Sequence, residues 1–153
     1  TCALNLLKGD LSEVVATASG SHRLHYTMRK GDVAPLYATS GGKALLAHLP
    51  DEMRRDYLAR VSLEKITPRT VDSVPALEAE LAEIARTGIA FVVEEFMPGI
   101  VGMARPILGR SGFPLAAVNI ALPIARYDAA LKRRCLNALE DAVLMLRERA
   151  NLG

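Results

Sequence analysis

The residues best suited to metal binding are few and are not spaced for that purpose. Histidines stand at positions 22, 25 and 48, and cysteines stand only at positions 2 and 135. Zinc sites commonly combine paired Cys-x-x-Cys or His-x-x-x-His ligands, and neither pattern occurs in this chain. On a strand, His22 and His25 would point to opposite faces. We therefore predict that the protein has no metal site.

Nucleophilic chemistry has no more support than metal binding. The serines at 19, 21 and 111 lack the Gly-x-Ser-x-Gly elbow of serine hydrolases, and no histidine is placed by sequence to activate them. A redox site would need exposed, paired or activated thiols. Cys135 falls on an apolar helical stripe, where cysteine behaves as a small hydrophobe. We predict no catalytic residue and no cofactor.

One stretch does favour ligand binding. Thr39 and Ser40 are hydroxyl N-cap candidates, and they are followed by Gly41, Gly42 and an apolar run that ends at Pro50. A helix start exposes unpaired N–H groups with a partial positive charge, and glycine allows a ligand to approach the backbone closely. The pattern indicates an anion site at Ser40 and Gly41, although such a glycine pair also suits a plain turn.

About six strands and three or four helices are expected around this helix start. Alternating or β-branched runs predict strands at 3–8, 11–19, 23–28, 89–93, 100–108 and 115–122, the last of them buried on both faces. Helical spacing predicts helices over 43–49, from a cap at Asp51 to Val61, from 77 to a left-handed stop at Gly88, and over 127–149. This order favours an α+β fold with an antiparallel sheet.

Length and composition suit one globular domain over residues 1–153. Half of the 153 residues are hydrophobic and 24% are charged, which excludes disordered and collagen-like classes. No apolar run approaches the roughly 20 residues that cross a bilayer. The formal charge of +2 comes from scattered basic residues, too weak a pattern to argue for binding of nucleic acid. We predict a cytoplasmic protein without membrane contact.

Two stretches resemble the signature regions of a known family. Residues 37–52 read YATSGGKALLAHLPDE and are similar to its "HATALGKALLA" helix start. Residues 88–127 begin GIAFVVEEFMPGIVGMARPILG and are similar to its "GYAxDxEExxPGxxCIAAPV" region and the "ALSVSGP" strand after it. The family is the effector-binding domain of IclR-type bacterial transcriptional regulators, and the match extends over nearly all of the chain.

The resemblance implies a GAF-like antiparallel sheet of about six strands with flanking helices and a buried effector pocket on one side. It also implies self-association into dimers or tetramers. A winged helix-turn-helix domain would precede this domain and read DNA, and that domain is absent from the chain. The implied function is to sense a small organic acid and to couple its binding to that DNA-binding domain.

The resemblance also places the pocket residue by residue. The effector's carboxylate is met by the N–H groups at Ser40 and Gly41. On the later strands this chain departs from the common family pattern, with Val92 in place of an acidic residue and Gly102 in place of a cysteine.

In the last strand, two hydroxyl positions of the family pattern become Asn119 and Ala121, so that Asn119 is left as the amide that could orient a ligand. Fewer polar groups lower the cost of burying hydrocarbon. We therefore expect an effector larger and more apolar than a two- or three-carbon oxoacid, such as an aromatic or aliphatic carboxylate. Tyr26, Met28 and Ile100 are the candidate walls.

Other interpretations stay open on sequence alone. Side chains could fill the pocket, the domain could serve only oligomerisation through its apolar strand at 115–122, or it could be a GAF-like redox enzyme. Glu94 and Glu95 are expected to play a structural part, by solvating a turn or by pairing with a basic residue such as Arg105. We further expect effector binding to close the loop at 35–42 over the sheet and to shift the subunits.

Overall fold

The chain forms an α+β fold built on one antiparallel sheet, as predicted. The computed structural model describes residues 1–152. The strands are β1 (Cys2–Lys8), β2 (Leu11–Ala18), β3 (Val33–Pro35), β4 (Ala90–Val93), β5 (Ile100–Leu108) and β6 (Pro114–Pro123). The helices are α1 (Ser40–Ala47), α2 (Asp51–Arg60), α3 (Val74–Thr87) and α4 (Ala129–Arg149), with a 3₁₀ turn at Ile124–Arg126 before α4.

The sheet has the strand order β3-β2-β1-β6-β5-β4, and every neighbouring pair is antiparallel. β1 pairs with both its hairpin partner β2 and the last strand β6, where Ala3 lies opposite Asn119. This central pairing joins the first and the last strand of the sequence. It therefore brings residues of the first strand beside the residues that the sequence singled out near position 119.

The strand predicted at 23–28 is wrong. Residues 19–32 contain no regular strand, and the third strand of the sheet is instead the short β3. The segment is tied to β2 only near its end, where Gly31 N–H donates to Val14 O at 2.8 Å and Val14 N–H donates to Asp32 O at 2.8 Å. The alternation that suggested a strand has another cause, because Leu24 is exposed while Tyr26 and Met28 reach inward to a cavity.

The helix boundaries mostly follow the predicted caps. The Thr39 hydroxyl accepts from Gly42 N–H at 3.0 Å and so caps α1, and Gly88 ends α3 with a φ of 73°. The predicted cap at Asp51 is wrong. Pro50 occupies the cap position without a side-chain hydrogen bond, and the Asp51 carboxylate instead accepts from Arg54 at 2.5 Å.

The core is divided by the sheet into two clusters. On one face α1 and α3 pack against small strand residues such as Ala104 and Ala117. On the other face α4 covers larger residues, among them Met103 and Leu122. Because both clusters draw on β5 and β6, these strands are buried on both sides, as predicted for β6.

Candidate functional site

A cavity of about 230 Å³ lies between the start of α1 and the sheet. All nine residues predicted to form the pocket line it: Tyr26, Met28, Ser40, Gly41, Val92, Ile100, Gly102, Asn119 and Ala121. Sequence reasoning did not identify the others, which are Asn5, Ser12, Val14, Asp32, Val33, Ala34, Thr39, Glu95, Phe96 and Met97. The structure therefore has open space where the side-chain-filled alternative requires solid packing.

Two backbone donors at the start of α1 belong to residues that line this cavity, and within residues 1–152 these donors have no hydrogen-bond partner. The first four N–H groups of a helix have no partner within it. In α1 the Thr39 hydroxyl accepts from Gly42 N–H, and the Thr39 carbonyl accepts from Lys43 N–H at 2.9 Å. The N–H groups of Ser40 and Gly41 are left, and both residues line the cavity. A helix N-terminus with free donors is suited to an anionic group.

Glycines allow α1 to lie unusually close to the sheet. A Cβ at Gly41 would stand 2.9 Å from Asn5 Nδ2, and a Cβ at Gly102 would stand 2.9 Å from Ser40 Oγ and 3.0 Å from Val92 Cγ2. The sequence suggested that Gly41 admits a ligand to the backbone, whereas the space beside it holds the Asn5 side chain. These glycines position the helix start against β1 and β5.

Two buried amides form the polar floor of the cavity. Asn5 Nδ2 donates to Asn119 Oδ1 at 2.7 Å, and Asn119 Nδ2 lies 3.6 Å from Met28 Sδ. The Asn119 carbonyl is thus engaged, and its N–H₂ group is the part that could donate to a ligand. Asn5 was missed by sequence reasoning. Its only signal is a polar residue inside the apolar run of β1.

A buried ion cluster lies behind one wall. Lys43 is 1% exposed, and its Nζ donates to Glu95 Oε1 at 2.8 Å, to Glu95 Oε2 at 2.9 Å and to Glu80. Burial raises the pKa of the Glu95 carboxyl, and the Lys43 ammonium opposes that shift. Glu95 therefore pairs with a basic residue, as expected, but that residue is Lys43 and not Arg105, which lies 3.9 Å from Glu140.

Glu94 does have the structural role expected of it. Glu94 Oε1 accepts from Gly99 N–H at 2.8 Å, and Glu94 Oε2 lies 3.3 Å from Arg69 Nε. These contacts close the turn between β4 and β5. The two adjacent glutamates therefore differ, since only Glu95 reaches the cavity.

The charged and ionisable groups in the lining are acidic. Asp32 and Glu95 contribute carboxylates, and across the described part of the chain no lysine, arginine or histidine lines the cavity. Asp32 is anchored by Arg29 N–H, which donates to its Oδ2 at 2.8 Å. Burial and the nearby Asp32 charge raise the pKa of the Tyr26 phenol, so Tyr26 stays neutral at pH 7 and can act as a hydrogen-bond donor.

The loop expected to close over the sheet is already packed. Leu36, Tyr37 and Ala38 are buried, and the Tyr37 hydroxyl donates to Glu64 O at 2.9 Å. In this state residues 35–42 are thus packed against the core, and their closure on effector binding stays a prediction. Residues 19–32, an irregular and largely exposed segment, supply Tyr26 and Met28 to the cavity lining.

Side chains that would support metal or thiol chemistry are not brought together in the described residues. Within residues 1–152 no cluster of three or more His, Cys, Asp or Glu side chains is arranged to hold a metal ion. Cys135 is buried in α4, as predicted, and burial raises the pKa of its thiol. Over the same residues, none of the helices combines the length and apolar character needed to span a bilayer.

Comparison with known proteins identifies relatives over the whole chain. Residues 1–147 match the family model described as "Bacterial transcriptional regulator IclR C-terminal". The HTH-type transcriptional regulator BhcR of Paracoccus denitrificans is 30% identical over 154 aligned residues, which cover 100% of this chain and 53% of BhcR. The chain spans about half the length of the curated relatives that it matches.

Solved structures agree with this assignment. The Thermotoga maritima IclR structure superposes with a TM-score of 0.90 at 26% identity, over 97% of this chain and 60% of that one. A double mutant of the PobR inducer-binding domain from Acinetobacter, in complex with 3-hydroxybenzoic acid, superposes with a TM-score of 0.85 at 25% identity. That alignment covers 95% of this chain and 86% of the PobR chain.

Proposed function

This chain belongs to the family of C-terminal domains of IclR-type bacterial transcriptional regulators, and from that premise we propose that it binds a small organic acid with an apolar or aromatic body. The prediction of a regulatory rather than an enzymatic domain is confirmed, because the matched relatives are named as transcriptional regulators. The chemical class of the acid is inferred from the cavity. The observation that carries it is the pair of N–H groups without a partner in the described chain at Ser40 and Gly41, two residues that line a largely apolar cavity.

The cavity's shape and lining support an acid of modest size. A volume of about 230 Å³ exceeds that of the smallest oxoacids, and Val92, Ile100 and Met28 offer apolar contacts to a ring or chain. The carboxylate would accept hydrogen bonds from the Ser40 and Gly41 N–H groups, and the Asn119 N–H₂ group would donate to a second polar atom. The PobR domain that superposes on this chain was solved with such an aromatic acid.

In the whole protein we propose that this domain controls an N-terminal DNA-binding domain in the cytoplasm. That proposal is supported by relatives about twice the length of this chain, such as the HTH-type regulator BhcR. Self-association would allow a ligand to alter the spacing of two DNA-reading domains. For regulation to result, the acid must bind one arrangement of subunits more tightly than the other. The 19–32 segment is the element whose placement a ligand would change directly.

Thermal-shift and calorimetric titration with benzoate and its hydroxylated derivatives tests this function. A ligand that binds the folded state raises stability by about 2.7 kcal/mol at a concentration one hundred times its Kd, so the melting temperature should rise by several degrees. A pure oligomerisation module would show no dependence on any acid, and that result would contradict the proposal.

A matched pair of variants locates the binding site. Ala121→Leu places extra hydrocarbon in the cavity and should abolish the acid-dependent shift, because Ala121 lines the site and is buried. Ala138→Leu adds the same group on the exposed side of α4 and should leave the shift unchanged. Equal behaviour of the two variants would place binding elsewhere.

A further inference from the structure

The charges around the cavity are unbalanced in a way that constrains the ligand. Its anion-binding end is the start of α1, which offers backbone N–H groups and no charged donor. The remaining wall carries Glu95 on the inside and Asp32 near the exposed segment. Glu95 is ion-paired with Lys43 of α1, which is shared with Glu80.

Glu95 occupies a special place in this wall. It lines both the cavity and an open groove on the far side, which also includes Glu80, Glu83 and Arg69. It is the one residue common to both linings in the described chain. The Glu95 side chain is 12% exposed. The Glu95 side chain therefore lies between the cavity and the groove, and Lys43 Nζ donates to both of its carboxylate oxygens.

Asp32 completes the acidic wall from the other side. Its Oδ2 accepts from Arg29 N–H, and no ion pair to Asp32 is formed within residues 1–152. A carboxylate accepts hydrogen bonds at up to four positions, so Asp32 and Glu95 can both receive a hydroxyl or amide N–H from a ligand. A second anionic group beside them would meet like charge, from the largely buried Glu95 and from Asp32 at the exposed edge of the cavity.

We propose that the cavity selects acids with a single anionic group and rejects dicarboxylates, with Glu95 and Asp32 as the specificity-determining residues. This inference rests on the proposed function, because it assumes that one carboxylate binds at the start of α1. It adds the chemical class at the other end of the ligand, which should be neutral and preferably a hydrogen-bond donor.

An isosteric ligand pair tests the proposal by calorimetric titration of the full chain at pH 7. Isophthalate and 3-carbamoylbenzoate have nearly the same shape, but isophthalate carries two anionic groups and 3-carbamoylbenzoate carries one. The wild-type chain should bind 3-carbamoylbenzoate roughly tenfold more tightly or better. In Glu95→Gln and Asp32→Asn, combined or separate, the ratio of the Kd of isophthalate to the Kd of 3-carbamoylbenzoate should fall toward one.

Glu80→Gln is the matched control. Glu80 also bonds Lys43 but lies outside the cavity, so its neutralisation disturbs the same ion cluster without changing the charge of the lining. The ratio should stay at its wild-type value in Glu80→Gln. An equal change in Glu80→Gln and Glu95→Gln would show a merely structural role and overturn the assignment. Asp32→Asn, at an exposed turn, keeps the test valid if Glu95→Gln does not fold.

The remaining outcomes separate this inference from the proposed function. If the chain binds benzoate and binds isophthalate and 3-carbamoylbenzoate with equal affinity, the charge selection alone is overturned. If the chain binds benzoate but neither substituted acid, the charge selection is also overturned, because size would then be the selecting property. Failure of benzoate and both substituted acids to bind the wild-type chain would overturn the proposed function and this inference together.

Discussion

The two faces of the sheet are built from the same strands but have opposite packing. Toward α4, β5 and β6 present large side chains such as Met103, Val118 and Leu122, which fill the interface. Toward the start of α1, the alternate positions of these strands hold Gly102 and Ala121, and a cavity of about 230 Å³ remains. Side chains alternate along a strand. One strand can therefore contribute to a stable core on one side and to a binding chamber on the other.

The two faces of the sheet differ in the polarity of their buried side chains as well as in side-chain size. The α4 face buries apolar residues and Cys135, whereas the cavity face buries Asn5 and Asn119, which satisfy each other through a hydrogen bond of 2.7 Å. Buried amides are tolerated when they are paired. The comparison leads to a simple expectation, which is that substitutions on the α4 face should alter stability and substitutions on the cavity face should alter binding.

The largest expected effect is on the α4 face. Leu139→Ala removes a side chain that is 1% exposed in that cluster, and the unfolding free energy should fall by about 2–5 kcal/mol. Urea denaturation measures the change. Leu144→Ala, in the same helix but 61% exposed, should shift stability by no more than about 0.5 kcal/mol. Similar losses in the two variants would contradict the packing assigned to α4.

Gly102→Ala should affect both stability and binding. The new Cβ would lie 2.9 Å from Ser40 Oγ and 3.3 Å from Ser40 Cβ, so Ser40 at the start of α1 must shift. Overpacking of this kind costs about 1–3 kcal/mol, and the displaced N–H groups should bind an acid more weakly. Denaturation and titration on the same sample test both effects. Gly20→Ala, where nothing lies within 4 Å of the new Cβ, should change neither quantity appreciably.

Asn119→Leu should weaken acid binding by roughly 1–3 kcal/mol if its amide is paired to the ligand. The change also removes the shorter hydrogen bond of Asn5 Nδ2 and leaves it only the Ala117 carbonyl at 3.5 Å, so a moderate loss of stability is expected. Titration of a binding acid gives the affinity. Asn137→Leu makes the same exchange at an exposed position of α4 and should leave affinity intact. An unchanged Kd in Asn119→Leu would remove that residue from the site.

Much of the fold could be predicted from local patterns. β5 has the predicted limits, and Thr39 and Gly88 begin and end their helices as expected. Cap chemistry and apolar periodicity act within a few residues, so they can be recognised in the chain itself. The error at 23–28 shows the limit of periodicity, because Tyr26 and Met28 there line a cavity and Leu24 is exposed, without pairing to a neighbouring strand.

The candidate site was predicted in part. Its nine residues were placed through the family resemblance and do line one cavity, but their contacts to a ligand remain a prediction. Asn5, Asp32 and Glu95 were not recognised as part of it. Asn5 is 114 positions from its hydrogen-bond partner, and Glu95 is 52 positions from Lys43. No local pattern indicates pairings at such separations.

The sequence by itself determined all four helices and five of the six strands, the helix start at Ser40 and the small or apolar residues that leave space beside it. Only the tertiary structure decided that Asn5 joins Asn119, that Lys43 is buried between Glu80 and Glu95, and that the charged residues of the cavity lining are acidic. The reason is physical. Backbone preferences are local, whereas hydrogen bonding and charge in a buried site depend on which distant residues the sheet brings within about 3 Å of each other.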